Sequence, residues 1–122
     1  MPPSGVARTV LLVDDHPGFR RMARLLLQSG GYDVVAEAGT AEDALESARE
    51  LEPDLVLLDV LLPDGNGADV AEELALLPHP PGVVLTSSYA GGGLGPRLES
   101  TPVLGFVQKD ELTVARLAEL FG

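Results

Sequence analysis

The chain has 122 residues, of which 45% are hydrophobic and 22% charged, a composition typical of one folded domain rather than of a disordered chain. Its net charge of −11 disfavours direct binding to nucleic acid or to an anionic membrane. The absence of cysteine excludes disulfides and thiolate metal sites, and no apolar run is long enough to cross a bilayer, so we expect a cytoplasmic protein.

Short apolar segments alternate with segments of helical periodicity, a pattern typical of βαβ units around a parallel sheet. Residues 1–7, rich in Pro, Gly and Ser, are expected to form a flexible tail, and residues 8–122 a single domain. The five expected strands run from about Thr9 to Asp14, Asp33 to Glu37, Asp54 to Asp59, Gly82 to Ser87 and Val103 to Gln108. We expect a flavodoxin-like, doubly wound α/β sheet with five helices; if its strand order is 2-1-3-4-5, strands one and three flank the point where the order reverses.

The helices are predicted from apolar residues at i, i+3, i+4 and i+7 and from capping residues. The first helix begins at Pro17, the second follows Thr40 as its N-cap, and the last follows Asp110 as its cap. The expected inward-facing residues are Phe19, Met22, Ala23 and Leu26, then Ala41, Ala44, Leu45 and Ala48, then Val70, Leu74 and Leu77, and finally Val114, Leu117, Ala118 and Phe121. The fourth helix, between Tyr89 and Ser100, contains several glycines and Pro96, so we expect it to be short or distorted.

Polar side chains follow four of the five strands at the points where those strands end. They are Asp14 and Asp15 after the first strand, Asp59 after the third, Ser87 after the fourth and Lys109 after the fifth. Ligands of open parallel sheets bind outside the carboxyl ends of the strands, where the strand order reverses, so we expect these side chains to meet there. Glu37, which ends an edge strand, is expected to lie outside this site.

Three carboxylates in one crevice repel one another unless one is protonated or a cation binds between them. Mg²⁺ prefers oxygen ligands and is usually held by carboxylates together with phosphate oxygens. We therefore expect Mg²⁺ to bind Asp14, Asp15 and Asp59, with the backbone carbonyl of Leu61 completing its shell. A carboxylate can also accept a phosphoryl group, provided that the developing oxygen charge is neutralised, as Lys109, the only lysine, can do.

From about Arg8 to the C-terminus, these residues and spacings resemble the receiver domain of bacterial two-component response regulators. The acidic pair of the family matches Asp14 and Asp15, and its phospho-acceptor matches Asp59. Its lysine, which follows the fifth strand, matches Lys109. Pro63 and Gly67 match the Pro and Gly that follow the acceptor in the family, and Phe106 matches its aromatic switch position. The spacing to the lysine identifies Ser87 as the switch alcohol, with Thr86 as the alternative.

The resemblance implies a phospho-accepting signalling switch. A sensor histidine kinase or a phosphotransfer protein would phosphorylate Asp59 in an Mg²⁺-dependent reaction, and its catalysis would be limited to phosphotransfer to itself and autodephosphorylation. The face formed by the fourth helix, fifth strand and fifth helix would then change, control an effector domain or protein and offer a surface for a homodimer. The string from Asp14 to Arg20 is similar to the branch that often carries a helix-turn-helix output domain, which implies transcription regulation.

Two other functions are compatible with a fold of this kind. The chain could be an interaction module that does not use phosphorylation, although intact Asp14, Asp15, Asp59 and Lys109 argue against this. It could also be an Mg²⁺-dependent phosphohydrolase with Asp59 as nucleophile, but Leu61 stands where such hydrolases carry a second aspartate. For His16 we expect a structural role rather than metal ligation.

Overall fold

The computed structural model describes residues 7–122, which form a three-layer α/β domain. Its elements in chain order are β1 (Thr9–Val13), α1 (Pro17–Ser29), β2 (Asp33–Ala38), α2 (Ala41–Leu51), β3 (Leu55–Asp59), β4 (Leu61–Leu62), β5 (Gly65–Asn66), α3 (Gly67–Leu74), β6 (Gly82–Ser87), α4 (Arg97–Ser100), β7 (Gly105–Gln108) and α5 (Val114–Phe121). Apart from Ala7, the tail predicted over residues 1–7 lies outside the described residues. None of the helices within residues 7–122 is both long and apolar enough to span a membrane.

The central sheet has five parallel strands in the order β2-β1-β3-β6-β7. This confirms the predicted order 2-1-3-4-5, because β4 and β5 form a separate two-stranded antiparallel hairpin. The hairpin was not predicted from the sequence. The strand order reverses between β1 and β3, which therefore flank the crevice where such sheets bind ligands.

Two hydrophobic clusters lie on opposite faces of the sheet, because successive strand residues point to opposite sides. In β3, Val56 and Leu58 pack on one side with residues of α2 and α3. Leu55 and Leu57 pack on the other side with residues of α1 and α5. Burial on both faces explains why the central strands are continuous apolar runs rather than alternating ones.

Some predicted inward positions are corrected by the structure. In α1, Met22 is 41% exposed, whereas Leu27, which was not predicted to face inward, is fully buried. The helix packs through Ala23 and Leu27, which are one turn apart, so Met22 is rotated away from the sheet. Ala118 in α5 is likewise exposed, because that helix packs through Leu117 and Phe121, which are one turn apart, and Ala118 lies beside this buried stripe.

Two predicted helix boundaries also differ. Thr113, not Asp110, is the N-cap of α5, and its hydroxyl accepts a hydrogen bond from the Arg116 N–H at 3.0 Å. Asp110 lies instead in a 3₁₀ turn that spans Lys109–Glu111. The third helix ends at Leu74, so Leu77 packs against the core from the loop beyond it.

The fourth helix is short, as predicted: α4 has only four residues. A 3₁₀ turn at Ala90–Gly93 precedes it, and the positive φ angles of the segment are 62° at Gly91, 67° at Gly92, 71° at Gly93 and 57° at Gly95. Glycine alone adopts such angles without steric cost. The helix is tied to α3 by Arg97, whose Nη2 lies 2.5 Å from Asp69 Oδ1 and 3.3 Å from Glu72 Oε2.

Candidate functional site

The carboxyl ends of β1 and β3 bring acidic side chains together at the point where the strand order reverses. Asp14 directly follows β1 and is fully buried, and Asp59 ends β3 with 3% of its surface exposed. Ligand atoms of Asp14, Asp15, His16 and Asp59 all lie within 4.8 Å of one another. The predicted convergence of the three carboxylates is therefore present, and the side chain of His16 joins them.

Lys109, which directly follows β7, contacts this acidic cluster. Its Nζ lies 2.5 Å from Asp14 Oδ2 and 3.1 Å from Asp59 Oδ2, and the same ammonium is 4.5 Å from the centre of the Phe19 ring. Burial alone would lower the pKa of Lys109, but its interactions with the two carboxylates outweigh burial and raise that pKa. The ammonium therefore stays charged and partly neutralises the cluster.

The surroundings of Asp59 disfavour its ionised form, because they raise the pKa of its carboxyl group. Burial raises the pKa of Asp59, and the neighbouring charge of Asp14 raises it further. The hydrogen bond that Asp59 Oδ1 accepts from the Leu61 N–H at 3.2 Å opposes these effects, as does Lys109, but the pKa remains raised. The ionised carboxylate is thus costlier here than in water, so a further cation would relieve it.

The cluster has the chemistry that a hard divalent cation requires. Asp14 Oδ2 is buried, and no donor among residues 7–122 is aligned to hydrogen-bond it, although the Lys109 ammonium lies close. Asp14, Asp15 and Asp59 offer carboxylate oxygens, the kind of ligand that Mg²⁺ prefers. Leu61 lines the same cleft as Asp59, while the role of its carbonyl as a further ligand stays a prediction.

Ser87 and Thr86 point to opposite faces of β6, although both are buried. Ser87 lines the cleft with Asp59 and Lys109, and its Oγ accepts a hydrogen bond from the Tyr89 N–H at 3.0 Å. The hydroxyl of Thr86 has no hydrogen-bond partner among the described residues. Of these two alcohols, Ser87 is therefore the one that lines the cleft with Asp59, while its role as the switch alcohol stays a prediction.

The sequence model of the response regulator receiver domain matches residues 10–119 of this chain. The chain belongs to the response regulator receiver family. It is 36% identical over 117 residues to a putative transcriptional regulator of Pseudomonas aeruginosa, a match that covers 93% of this chain and 56% of that protein. It is also 34% identical over 102 residues to the putative positive transcription regulator of virulence factors BvgA of Bordetella pertussis, covering 84% of this chain and 49% of the relative.

Solved structures support the same assignment. The receiver domain is similar to the signal receiver domain of the putative response regulator NarL from Mycobacterium tuberculosis, with a TM-score of 0.81 and 33% identity over 95% of this chain and 98% of that one. The chain spans about half the length of the first curated relatives it matches, 56% and 49%. It is therefore a receiver domain of the two-component type whose relatives include transcription regulators.

Within the receiver domain, Phe106 lies on the same face of the sheet as Ser87 but one strand away. Its side chain is half-buried against the cluster that contains Leu85. Phe106 also lines a cleft of about 500 Å³ together with Ala90 and Arg116, between the glycine-rich segment and α5. The predicted aromatic switch residue thus borders the segment that carries α4 rather than the acidic cluster itself.

His16 bridges the acidic pair of the receiver domain. Its Nδ1 lies 3.0 Å from Asp14 Oδ1 and 3.1 Å from Asp15 Oδ1, and its backbone N–H donates to Asp14 Oδ1 at 2.8 Å. These contacts place the imidazole against both carboxylates, and a structural role for His16 rather than metal ligation stays a prediction. The ring is 65% exposed and lines the mouth of the cleft.

The structure also gives a physical reason for the glycine at position 67 and shows a contact of Arg20 that the sequence did not reveal. Gly67 begins α3 against the backbone that follows the acceptor, and a Cβ at this position would collide with the carbonyl of Asp59. Arg20 of α1 donates from Nη1 to the backbone carbonyl of Asp14 at 2.6 Å. In the sequence, Arg20 is marked only as the end of the string that begins at Asp14, with no expected role in the site.

Proposed function

We propose that this receiver domain is a signalling switch in which Asp59 accepts a phosphoryl group from a partner histidine kinase or phosphotransfer protein in an Mg²⁺-dependent reaction. The observation that carries the proposal is the position of Lys109, whose Nζ lies 3.1 Å from Asp59 Oδ2 within a buried acidic cluster. A permanent cation beside a nucleophilic carboxylate is what transfer of a charged phosphoryl group requires.

Each residue of the site has a distinct part in this reaction. An oxygen of Asp59 attacks phosphorus, and the bond from phosphorus to the leaving atom of the donor breaks. Lys109, now paired with Asp14 and Asp59, moves its charge to the oxygens of the transferred group. Mg²⁺, when bound to Asp14, Asp15, Asp59 and the carbonyl of Leu61, would supply further neutralisation of those oxygens.

In the proposed mechanism, Ser87 couples phosphorylation of Asp59 to a change in the rest of the domain. Its hydroxyl, which lines the cleft beside Lys109, would donate to a phosphoryl oxygen and draw the end of β6 toward Asp59. The glycine-rich turn that follows can rearrange because its residues have few steric restrictions, and Phe106 packs directly beside it. The face of α4, β7 and α5 would thereby change its contacts with an effector domain, a partner protein or a second copy.

The test is incubation of the protein with Mg²⁺ and acetyl phosphate, a small phosphodonor, followed by intact mass spectrometry. We expect one added phosphoryl group, which is lost in Asp59→Asn and in the presence of EDTA. Asp110→Asn is the matched control, because Asp110 is an exposed aspartate beside Lys109. An adduct of the same yield in Asp59→Asn would show that the acceptor is misassigned.

The same experiment separates the alternative functions. Absence of any adduct in the wild-type protein, in both Mg²⁺ and Mn²⁺, would favour an interaction module that does not use phosphorylation. Rapid multiple turnover of small phosphate esters would favour a phosphohydrolase. The proposed switch predicts that the acyl phosphate accumulates on Asp59 and is hydrolysed slowly, so that the phosphodonor is consumed slowly.

A further inference from the structure

A group of charged side chains on α1 and β2 lies immediately behind the acidic cluster. Arg20 Nε lies 3.1 Å from Glu37 Oε1, and Arg24 Nε lies 2.6 Å from Glu37 Oε2. Glu37, which was expected to lie outside the site, therefore receives two guanidinium groups. Only one of these, Arg20, also contacts the site, through its Nη1 at 2.6 Å from the carbonyl oxygen of Asp14.

The backbone of Asp14 is consequently held at both of its polar groups. Its N–H donates to the carbonyl of Ala38 in β2 at 3.0 Å, and its carbonyl accepts from Arg20. Because a peptide unit is planar, fixing the Asp14 carbonyl also fixes the N–H of Asp15 and the direction in which the chain continues. The orientation of both carboxylates relative to Asp59 therefore depends on the guanidinium of Arg20.

Glu37 makes this contact rigid. A free arginine side chain has several rotatable bonds, but the pair with Glu37 holds the guanidinium plane so that one nitrogen faces the carboxylate and another faces Asp14. The Arg20 side chain is only 25% exposed, which limits the alternative positions open to it. A lysine could satisfy either Glu37 or Asp14, but one ammonium cannot reproduce the planar fork that serves both.

We propose that Arg20 is a positioning residue that sets the Mg²⁺ affinity of the acidic cluster by fixing the backbone between Asp14 and Asp15. The inference rests on the proposed function, since it assumes that the cluster binds Mg²⁺. Arg20 contacts neither the cation nor a phosphoryl group in this account. It acts through the main chain of Asp14, with Glu37 as its anchor.

Removal of Arg20 changes the Mg²⁺ affinity in opposite directions, depending on whether the residue acts through its charge or through its contact with the Asp14 carbonyl. Loss of a positive charge close to three carboxylates would, by electrostatics alone, strengthen the binding of a cation. Loss of the positioning contact would weaken it, and removal of a residue that orients metal ligands typically costs roughly tenfold or more in metal affinity. The sign of the change in affinity therefore distinguishes the two roles.

Arg24 provides the matched control. It lies one turn further along α1, pairs with the same carboxylate of Glu37 and is similarly exposed, at 35% against 25% for Arg20. It makes no hydrogen bond to Asp14 within the described residues. Arg24→Met removes the same charge and the same kind of ion pair as Arg20→Met, but it leaves the contact with the Asp14 carbonyl in place.

The experiment is a titration of the wild-type protein, Arg20→Met, Arg20→Lys and Arg24→Met with MgCl₂, followed by the amide chemical shifts of the acidic cluster in ¹H–¹⁵N NMR spectra. The amide spectrum without Mg²⁺ and the thermal unfolding midpoint establish that each variant is folded. We expect roughly tenfold weaker binding for Arg20→Met and a clear loss for Arg20→Lys, while Arg24→Met stays within about twofold of the wild type.

Three results would overturn the inference. Equal or tighter binding by Arg20→Met would show that the guanidinium contributes only its charge. A wild-type affinity in Arg20→Lys would exclude the need for a planar fork, and equal weakening in Arg20→Met and Arg24→Met would assign the effect to general loosening of α1. Failure of the wild-type protein to bind Mg²⁺ would overturn the proposed function together with this inference. Wild-type binding with any of the three results above would overturn the role of Arg20 alone.

Discussion

The carboxylate of Asp64 accepts a hydrogen bond from the backbone N–H of Ala41 at 2.7 Å and another from that of Glu42 at 3.1 Å. The loop after the acceptor strand thereby caps the first turn of α2, which Thr40 also caps through the Asp43 N–H. These N–H groups lower the pKa of Asp64, with the bond from Ala41 contributing most. Asp64 thus joins the acceptor loop to α2 through two backbone hydrogen bonds.

Replacement of Asp64 by asparagine is expected to lower the free energy of unfolding at neutral pH, because a helix N-terminus favours a negative charge. A depressed pKa means that the contribution of Asp64 is fully present above the pKa of the unfolded chain and is lost as the pH falls through the lower pKa of the folded state. Urea midpoints of wild type and Asp64→Asn should therefore converge below about pH 4. Asp110→Asn, at an exposed aspartate outside the α-helices, is the control for loss of one acidic side chain, and at neutral pH it should lower the urea midpoint less than Asp64→Asn does.

Lys109→Met is expected to destabilise the metal-free domain, because it leaves the buried carboxylates of Asp14 and Asp59 without their cation. The expected loss is about 1–3 kcal/mol in the free energy of unfolding. Mg²⁺ should stabilise this variant more than it stabilises the wild type, since the ammonium no longer competes for Asp14 Oδ2. Urea unfolding with and without MgCl₂ measures both effects, and equal stabilisation of the two proteins would contradict this competition.

Asp59→Asn is expected to raise the stability of the metal-free domain. The raised pKa of Asp59 means that its ionised form is disfavoured in the folded state, so at neutral pH this carboxylate lowers the free energy of unfolding. Thermal unfolding at neutral pH with EDTA checks the sign, and a lower midpoint for Asp59→Asn would show that its pair with Lys109 dominates.

The two alcohols of β6 are expected to behave differently. Thr86→Val should raise the free energy of unfolding by about 1 kcal/mol, because it replaces a buried hydroxyl that lacks a partner with a group of the same shape. Ser87→Ala should leave phosphorylation detectable by mass but reduce the accompanying shift of the Phe106 ring signals in NMR spectra. A phosphorylation response that is lost in Thr86→Val and retained in Ser87→Ala would reverse the assignment of the switch alcohol.

Gly92 and Gly93 form a matched pair in the glycine-rich turn, with φ angles of 67° and 71°. An alanine at either position incurs the cost of left-handed backbone, about 1 kcal/mol. At Gly92 the new Cβ would also lie 2.9 Å from Val60 Cγ2 and 3.3 Å from the Phe106 ring, whereas at Gly93 nothing lies within 4 Å. Chemical denaturation should therefore show a larger loss for Gly92→Ala than for Gly93→Ala, and equal losses would contradict the contact with Val60.

The sequence by itself determined that the chain forms parallel strands connected by helices, and that Asp14 meets Asp59 if the strand order is 2-1-3-4-5, the order that the structure has. The reason is that the apolar runs are continuous, and parallel strands connected by helices must place their carboxyl ends at one edge. It also determined that α4 is short, because glycine and proline oppose a helix locally. These features follow from periodicity and backbone preferences that short windows of sequence carry.

Only the tertiary structure decided the contacts that join distant segments. The Asp64 cap spans 23 residues, and the contact between Arg20 and Glu37 spans 17. Met22, predicted to face inward, is exposed, and Leu27 is buried in its place. The sheet beneath α1 decides which side of the helix is covered. An exposed charge or a marginal apolar residue has several partners available in sequence, and only the packed fold selects one of them.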